Sequence, residues 1–219
     1  MYSDRIKALL TPPERCLLAD LKSSKAIQDY LDALPVNFEL KGETYMSPRR
    51  TIAAKKAHCF EGAILAATAL AYHGHKPLLM DFQTAWDDED HVIALYKKKG
   101  YWGALSKTNH AVLRYRDPVY RSVRELAMSY FHEYFLWDGR KSLRAYSAPY
   151  DLSRHWPSTW VTAEEDLDWL AEKLDKSRHF PIASPKNIRP LRPASEIEIS
   201  ALKLVEWKRP RKSRDNSSG

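Results

Sequence analysis

His58-Cys59-Phe60-Glu61-Gly62-Ala63-Ile64-Leu65-Ala66-Ala67-Thr68-Ala69-Leu70-Ala71-Tyr72, closed by His73-Gly74, is the stretch around which the chain has to fold. No charged residue occurs from Ala63 to Tyr72. A helix this apolar and small-residued on every side is expected in the middle of a fold, with Gly74 as its C-terminal stop. Pro77 then introduces Leu78-Leu79-Met80-Asp81-Phe82 as a short strand, and Trp86-Asp87-Asp88-Glu89-Asp90 follows as an acidic loop. His91 to Tyr96 and Tyr101 to Ser106 flank Lys97-Lys98-Lys99-Gly100, a hairpin pattern of apolar run, polar turn and apolar run. Helix, strand and hairpin in this order predict an α+β fold, with a central Cys-bearing helix packed on a small antiparallel sheet.

Working outward, Thr11-Pro12-Pro13-Glu14 puts a capping hydroxyl three residues before a glutamate and a proline at the first helical position, predicting a helix to about Leu21. Ile27, Tyr30, Leu31 and Leu34 repeat at helical spacing up to Pro35, and Val36 to Tyr45 reads as mixed or extended. Ser47 to Ala57 reads as a polar approach to the central helix. Further on, Asp117-Pro118 predicts a helix whose stripe, Val123, Leu126, Ala127, Tyr130 and Tyr134, runs to about Leu136. Thr162-Ala-Glu-Glu165 reads as a second capping box before Leu167, Leu170 and Leu174, while 141–160 reads as irregular and 179–193 as a proline-rich linker. The organisation expected is a helical extension over 1–45, a core over 46–136, a helical or irregular part over 137–202 packed on that core, and a basic disordered tail over 203–219.

Composition limits the function classes. The chain has 219 residues, enough for one domain with additions, and 44% of them are hydrophobic, which excludes a largely disordered chain. Its two cysteines, Cys16 and Cys59, are far apart, so neither a disulfide scaffold nor a cysteine zinc site can be built, and a reducing, cytoplasmic setting is expected. The first residues carry no apolar signal core, and no run approaches the ~20 apolar residues that cross a bilayer. Of the net charge of +7, residues 203–219 supply +4, leaving +3 for the rest. A basic surface that tracks phosphates is therefore not evident, and a nucleic-acid partner is not expected. His73 and His75 lack a third ligand nearby, the Asp87 to Asp90 carboxylates lack calcium-loop spacing, and no phosphate-cradling glycine motif occurs, so neither metal nor cofactor is called for.

The chemistry expected of the chain centres on Cys59. A cysteine opening a buried helix feels the helix dipole and unpaired amides, which favour thiolate over thiol and can receive an oxyanion. His91, opening the strand beside that helix, is the candidate base, and Gly62 and Ala63 would allow the close approach that such a pair requires. The hairpin offers a third group. If the turn centres on Lys98-Lys99, paired numbers sum to 197 and His91 faces Ser106; if it centres on Lys99-Gly100, they sum to 199 and His91 faces Thr108. Either pairing places a hydroxyl opposite the ring, with Asn109 as an amide alternative; Ser106 is preferred, then Asn109, then Thr108.

The segments His58-Cys59-Phe60-Glu61-Gly62-Ala63, Gly74-His75-Lys76-Pro77-Leu78-Leu79, Asp90-His91-Val92-Ile93-Ala94-Leu95 and Tyr101-Trp102-Gly103-Ala104-Leu105 resemble the transglutaminase-like superfamily of cysteine enzymes, cousins of the papain-like fold, over roughly Met46 to Thr108. The stretch from Ser106 to Pro118 is similar to that of uncharacterised bacterial members. The resemblance implies Cys59 as nucleophile and His91 as base, and its aspartate position falls on Ser106, where the family has Trp-x-x-Leu-Asp and this chain has Trp102-Gly-Ala-Leu-Ser106. A serine can hold an imidazole tautomer but cannot offset imidazolium charge as a carboxylate does. The function implied is a cysteine hydrolase acting on the amide or peptide bonds of a protein or peptide substrate. The alternative is the same fold without activity, used as a protein-binding module; reactivity of Cys59 discriminates the two.

Overall fold

The computed structural model describes residues 1–210. The chain opens with α1 (Tyr2–Leu9), α2 (Pro12–Asp20), α3 (Ser24–Ala33) and α4 (Pro48–Ala54), then the central α5 (Cys59–Tyr72). The strands β1 (Leu78–Gln83), β2 (His91–Lys98), β3 (Tyr101–Leu105) and β4 (Arg116–Tyr120) follow, then α6 (Val123–Met128), β5 (Ala145–Ser147), β6 (Tyr150–Asp151), α7 (Asp168–Asp175), β7 (His179–Pro181), α8 (Pro185–Ile188) and α9 (Glu196–Leu202). Short 3₁₀ turns cover Phe131–Glu133, Leu152–Arg154 and Pro157–Thr159. The fold is thus α+β, mixing helices with one antiparallel sheet.

The sheet runs β4-β3-β2-β1-β5-β7, with β6 also pairing to β1, so that β5 and β6 share one edge of β1. α5 lies against one face, buried from Phe60 to Ala71 among Leu79, Val92, Ala94, Tyr96 and Leu105 and backed by α1, α3 and α4. Thr68, its one buried hydroxyl residue, donates inside the helix to the Ile64 carbonyl at 2.9 Å. Alternate residues of the same strands, Met80, Phe82, Ile93, Leu95 and Ala104, face the opposite way and pack with Leu126, Tyr130 and Tyr134. Thr11 caps α2 as expected, its Oγ1 accepting from Glu14 N while Glu14 Oε2 accepts from Thr11 N.

Several sequence readings are corrected. The polar segment after Ser47 contains α4, started by the Ser47 cap and ended at Lys55, which takes positive φ. Asp117-Pro118 does not start a helix but lies in β4, an edge strand, where a missing backbone donor is tolerated. Ser122 caps the helix instead, and α6 stops at Met128, short of the expected Leu136, although its stripe residues Leu126, Ala127, Tyr130 and Tyr134 are buried. Thr162 to Glu165 is a turn, not a cap, and α7 begins at Asp168; Asp166 meanwhile accepts from Tyr45 N and Arg50. The irregular and linker segments contribute β5, β6 and β7, so residues 137–202 extend the sheet rather than merely packing on it; strands of two or three residues leave no periodicity to read.

The basic tail is also corrected where it is described. Leu204 to Trp207 lies along the loop after β3: Asn109 exchanges hydrogen bonds of 2.9 and 3.0 Å with the Trp207 backbone, and Glu206 pairs with Arg114 at 2.8 Å. Arg211, Lys212 and Arg214, which supply half of the tail's basic residues, lie outside the described residues.

Candidate active site

Cys59 stands at the first position of α5, where by helix geometry the amides of Cys59, Phe60 and Glu61 have no partner inside the helix. Glu61 fixes this end. Its carboxylate is fully buried and accepts from His58 N at 3.0 Å, Thr44 Oγ1 at 2.9 Å, Met46 N at 3.3 Å and Asn37 Nδ2 at 3.1 Å. Four protein donors making five contacts on one carboxylate, Asn37 Nδ2 reaching both oxygens, replace the water it loses. They also draw the extended segment 36–46 across the mouth of the helix.

That segment holds His58, a residue that sequence reading passed over. Its Nε2 lies 2.7 Å from the Thr44 carbonyl, an acceptor only, so Nε2 carries a proton and Nδ1 is the nitrogen 4.0 Å from Cys59 Sγ. Glu61 and Glu39 lie 3.5 and 3.7 Å from the same Nε2. Burial works against a charged ring here, but the sulfur, Glu61 and the Thr44 carbonyl outweigh it and raise His58 to about 9. Burial likewise opposes a thiolate at Cys59. Hydrogen bonding and charge from His58, then from His91, outweigh that penalty and hold the thiol well below its ordinary value. Histidine at the cap with glutamate three residues on is a spacing by which His58 could have been found.

His91 is held from the sheet side. Its Nε2 lies 2.8 Å from Ser106 Oγ, and that hydroxyl donates its single proton to the Leu113 carbonyl at 2.5 Å. The serine oxygen must therefore accept from Nε2–H, which assigns the tautomer and leaves the Nδ1 lone pair of His91 as the basic site. Leu113 takes a left-handed φ of 60°, and its N–H donates to Glu133 Oε2 at 2.7 Å, with Arg116 on the other carboxylate oxygen. Gln28, on α3, grips the Ser106 backbone at both ends, Oε1 accepting from Ser106 N at 3.0 Å and Nε2 donating to Ser106 O at 2.8 Å.

The hairpin register resolves the alternatives. Lys98 pairs with Tyr101 and Ala94 with Leu105, the 199 register, which extrapolates to Thr108 opposite His91. The ladder stops at Leu105 because Gln28 takes over the Ser106 backbone groups, and Ser106 rather than Thr108 meets the ring. Thr108 Oγ1 accepts from His110 N, and Asn109 is committed to Trp207. Gly62 allows the approach: a Cβ there would collide with the Cβ of Lys107, the residue after Ser106.

Cys59, His58, His91 and Lys107 line one open groove of about 1060 Å³, together with Tyr134 and the tryptophans Trp86 and Trp137. Lys107 is buried, its acidity raised by that burial, and its Nζ donates to the Leu34 carbonyl at 2.5 Å. One further titratable cluster, Asp81, Asp90 and Asp175, brings carboxylate oxygens within 4.8 Å of one another. Asp81 is buried and its acidity is weakened by that burial; His179 Nε2 at 3.0 Å already partners it. Among the described residues no helix is long and apolar enough to cross a membrane. No protein-family model matches the chain, and no curated protein matches its sequence.

Proposed function

We propose that the chain is a transglutaminase-like cysteine hydrolase that cleaves amide or peptide bonds through a thioester on Cys59. The observation that supports this reading best is the assembly in one groove of a thiol at a helix N-terminus, the His58 imidazole beside it, and His91 held by donation of its Nε2 proton to Ser106 Oγ. In this mechanism Cys59 yields its proton to His91 Nδ1, and the thiolate attacks the acyl carbon as the first-turn amide of Cys59 receives the oxyanion. The C–N bond breaks as His91 returns the proton to the leaving nitrogen. Water then attacks the thioester, giving its proton to His91, and the C–S bond breaks to release the acid as His91 returns that proton to the sulfur. Hydrolysis is favoured over transfer to an amine because water is always present at the thioester.

The test is the rate of iodoacetamide labelling of Cys59 against pH in the Cys16→Ser background, with and without His91→Ala. The expected result is a labelling pKa well below the free-thiol value of about 8.5 that rises when His91 is removed. Slow labelling that is unshifted and indifferent to His91 would overturn the enzymatic reading and leave the binding-module alternative.

A further inference from the structure

The groove over Cys59 is acidic although the chain as a whole is basic, with a net charge of +7. Its lining includes Glu39 and Glu43 from the segment that Glu61 draws over α5, and Asp87, Asp88 and Glu89 from the loop before β2. Of these, Asp87 is neutralised by Arg140 and Glu39 is engaged with Thr44 and His58, while Glu43, Asp88 and Glu89 form no ion pair among the described residues. The opposing charges are few. Lys107 is buried and turned to the Leu34 carbonyl, His58 is spent on Cys59, and Arg209 is exposed among the lining residues.

Two independent features of the same groove point to an occupant. Trp86 is 94% exposed and Trp137 62% exposed, and neither ring meets a protein cation or another aromatic ring among the described residues. Indole faces left open beside carboxylates are the chemistry that receives ammonium and guanidinium groups. Tyr134, also lining the groove, is 3% exposed, and its buried hydroxyl has no hydrogen-bond partner, an arrangement that proteins rarely leave unsatisfied.

We infer that this groove takes a peptide carrying lysine or arginine beside the acyl group that Cys59 attacks, the cations lying among these carboxylates and against Trp86 and Trp137. A volume near 1060 Å³, at the upper end for small-molecule sites, suits a peptide segment rather than a single amine. The inference rests on the cysteine-hydrolase reading for its chemistry, but its electrostatics can be tested apart from catalysis.

Two measurements decide it, both on the full chain with Cys16→Ser. In the first, Cys59 is alkylated by bromoacetyl-lysine amide and by bromoacetyl-glutamate amide. The expected result is a cationic-to-anionic rate ratio of about ten or more at low salt, falling toward one at high salt and in the Glu43→Gln, Asp88→Asn, Glu89→Gln variant. In the second, with Cys59→Ala added, a lysine-flanked glutamine peptide and its glutamate-flanked counterpart are titrated while tryptophan emission is followed, with Trp86→Phe as control. The lysine peptide is expected to bind in a salt-sensitive manner that weakens on loss of Trp86. Equal alkylation by both probes, or equal binding of both peptides, overturns the inference. If Cys59 fails to react with either probe while the lysine peptide still binds selectively, the hydrolase reading falls and the cation-binding groove stands.

Discussion

His58 meets Cys59 from the helix side of the groove and His91 from the sheet side, and the two rings are held by opposite means. His58 rests on a backbone carbonyl and two carboxylates, Glu61 and Glu39, which favour its charged form. His91 rests on the hydroxyl of Ser106, whose own proton is committed to Leu113, so its support fixes a tautomer without adding charge. The carboxylate that the family resemblance would place behind His91 is thus absent at Ser106, while carboxylates stand behind the neighbouring imidazole. The comparison teaches that holding a thiolate and orienting a base are separable tasks. Here the ring with charged support suits the first, and the ring with neutral support suits the second.

The sharpest way to break this division is at Glu61. Glu61→Ala leaves the buried donors of Asn37, Thr44, Met46 and His58 without their acceptor and removes the nearest charge from His58. A loss of about 3–5 kcal/mol in stability, measured by denaturant unfolding, is expected. A loss under about 1 kcal/mol would mean that water replaces the carboxylate and that segment 36–46 is not held by it.

Next in size is the coupling of His58 to the thiol. In Cys59→Ser the largest raising influence on His58 disappears, and its NMR titration midpoint is expected to fall from about 9 by one unit or more toward 6.5. The sign carries into stability. A raised folded-state value means that His58 contributes fully below about 6.5 and loses that contribution as pH rises through about 9. The stability gap between wild type and His58→Gln should therefore close above about pH 9. A gap that persists there, or a midpoint unchanged in Cys59→Ser, would assign the support of His58 to the carboxylates alone.

The smallest expected effect sharpens the other side. Ser106→Ala removes two neutral hydrogen bonds, one with His91 and one with the Leu113 carbonyl, and costs about 2 kcal/mol in unfolding free energy. Ser106→Asp, which restores the residue type of the resemblance, should cost more, because an ionised carboxylate would face the Leu113 carbonyl that Ser106 now donates to. If Ser106→Asp is instead as stable as wild type and lowers the labelling pKa of Cys59, the 113 loop has yielded and the neutral support is not obligatory.

What the sequence by itself determined is what nearest neighbours along the chain decide. The uncharged run from Ala63 is helical and buried as far as Ala71 because no face of it tolerates water, Thr11 and Glu14 cap their helix reciprocally, and the polar Lys97 to Gly100 segment turns a hairpin. Cys59, His91 and Ser106 were all legible as candidates. The tertiary structure alone decided which hydroxyl His91 meets, because the outcome depends on Gln28, 78 positions away, and on the Leu113 carbonyl. It decided likewise that His58 faces the sulfur, since Thr44 offers only a backbone oxygen. It also recruited β5, β6 and β7 into the sheet, and turned Leu204 to Trp207 back onto Asn109. Backbone carbonyls are the same at every residue and strands of two or three residues have no period, so neither leaves a mark in the sequence; only the packed chain brings them to a partner.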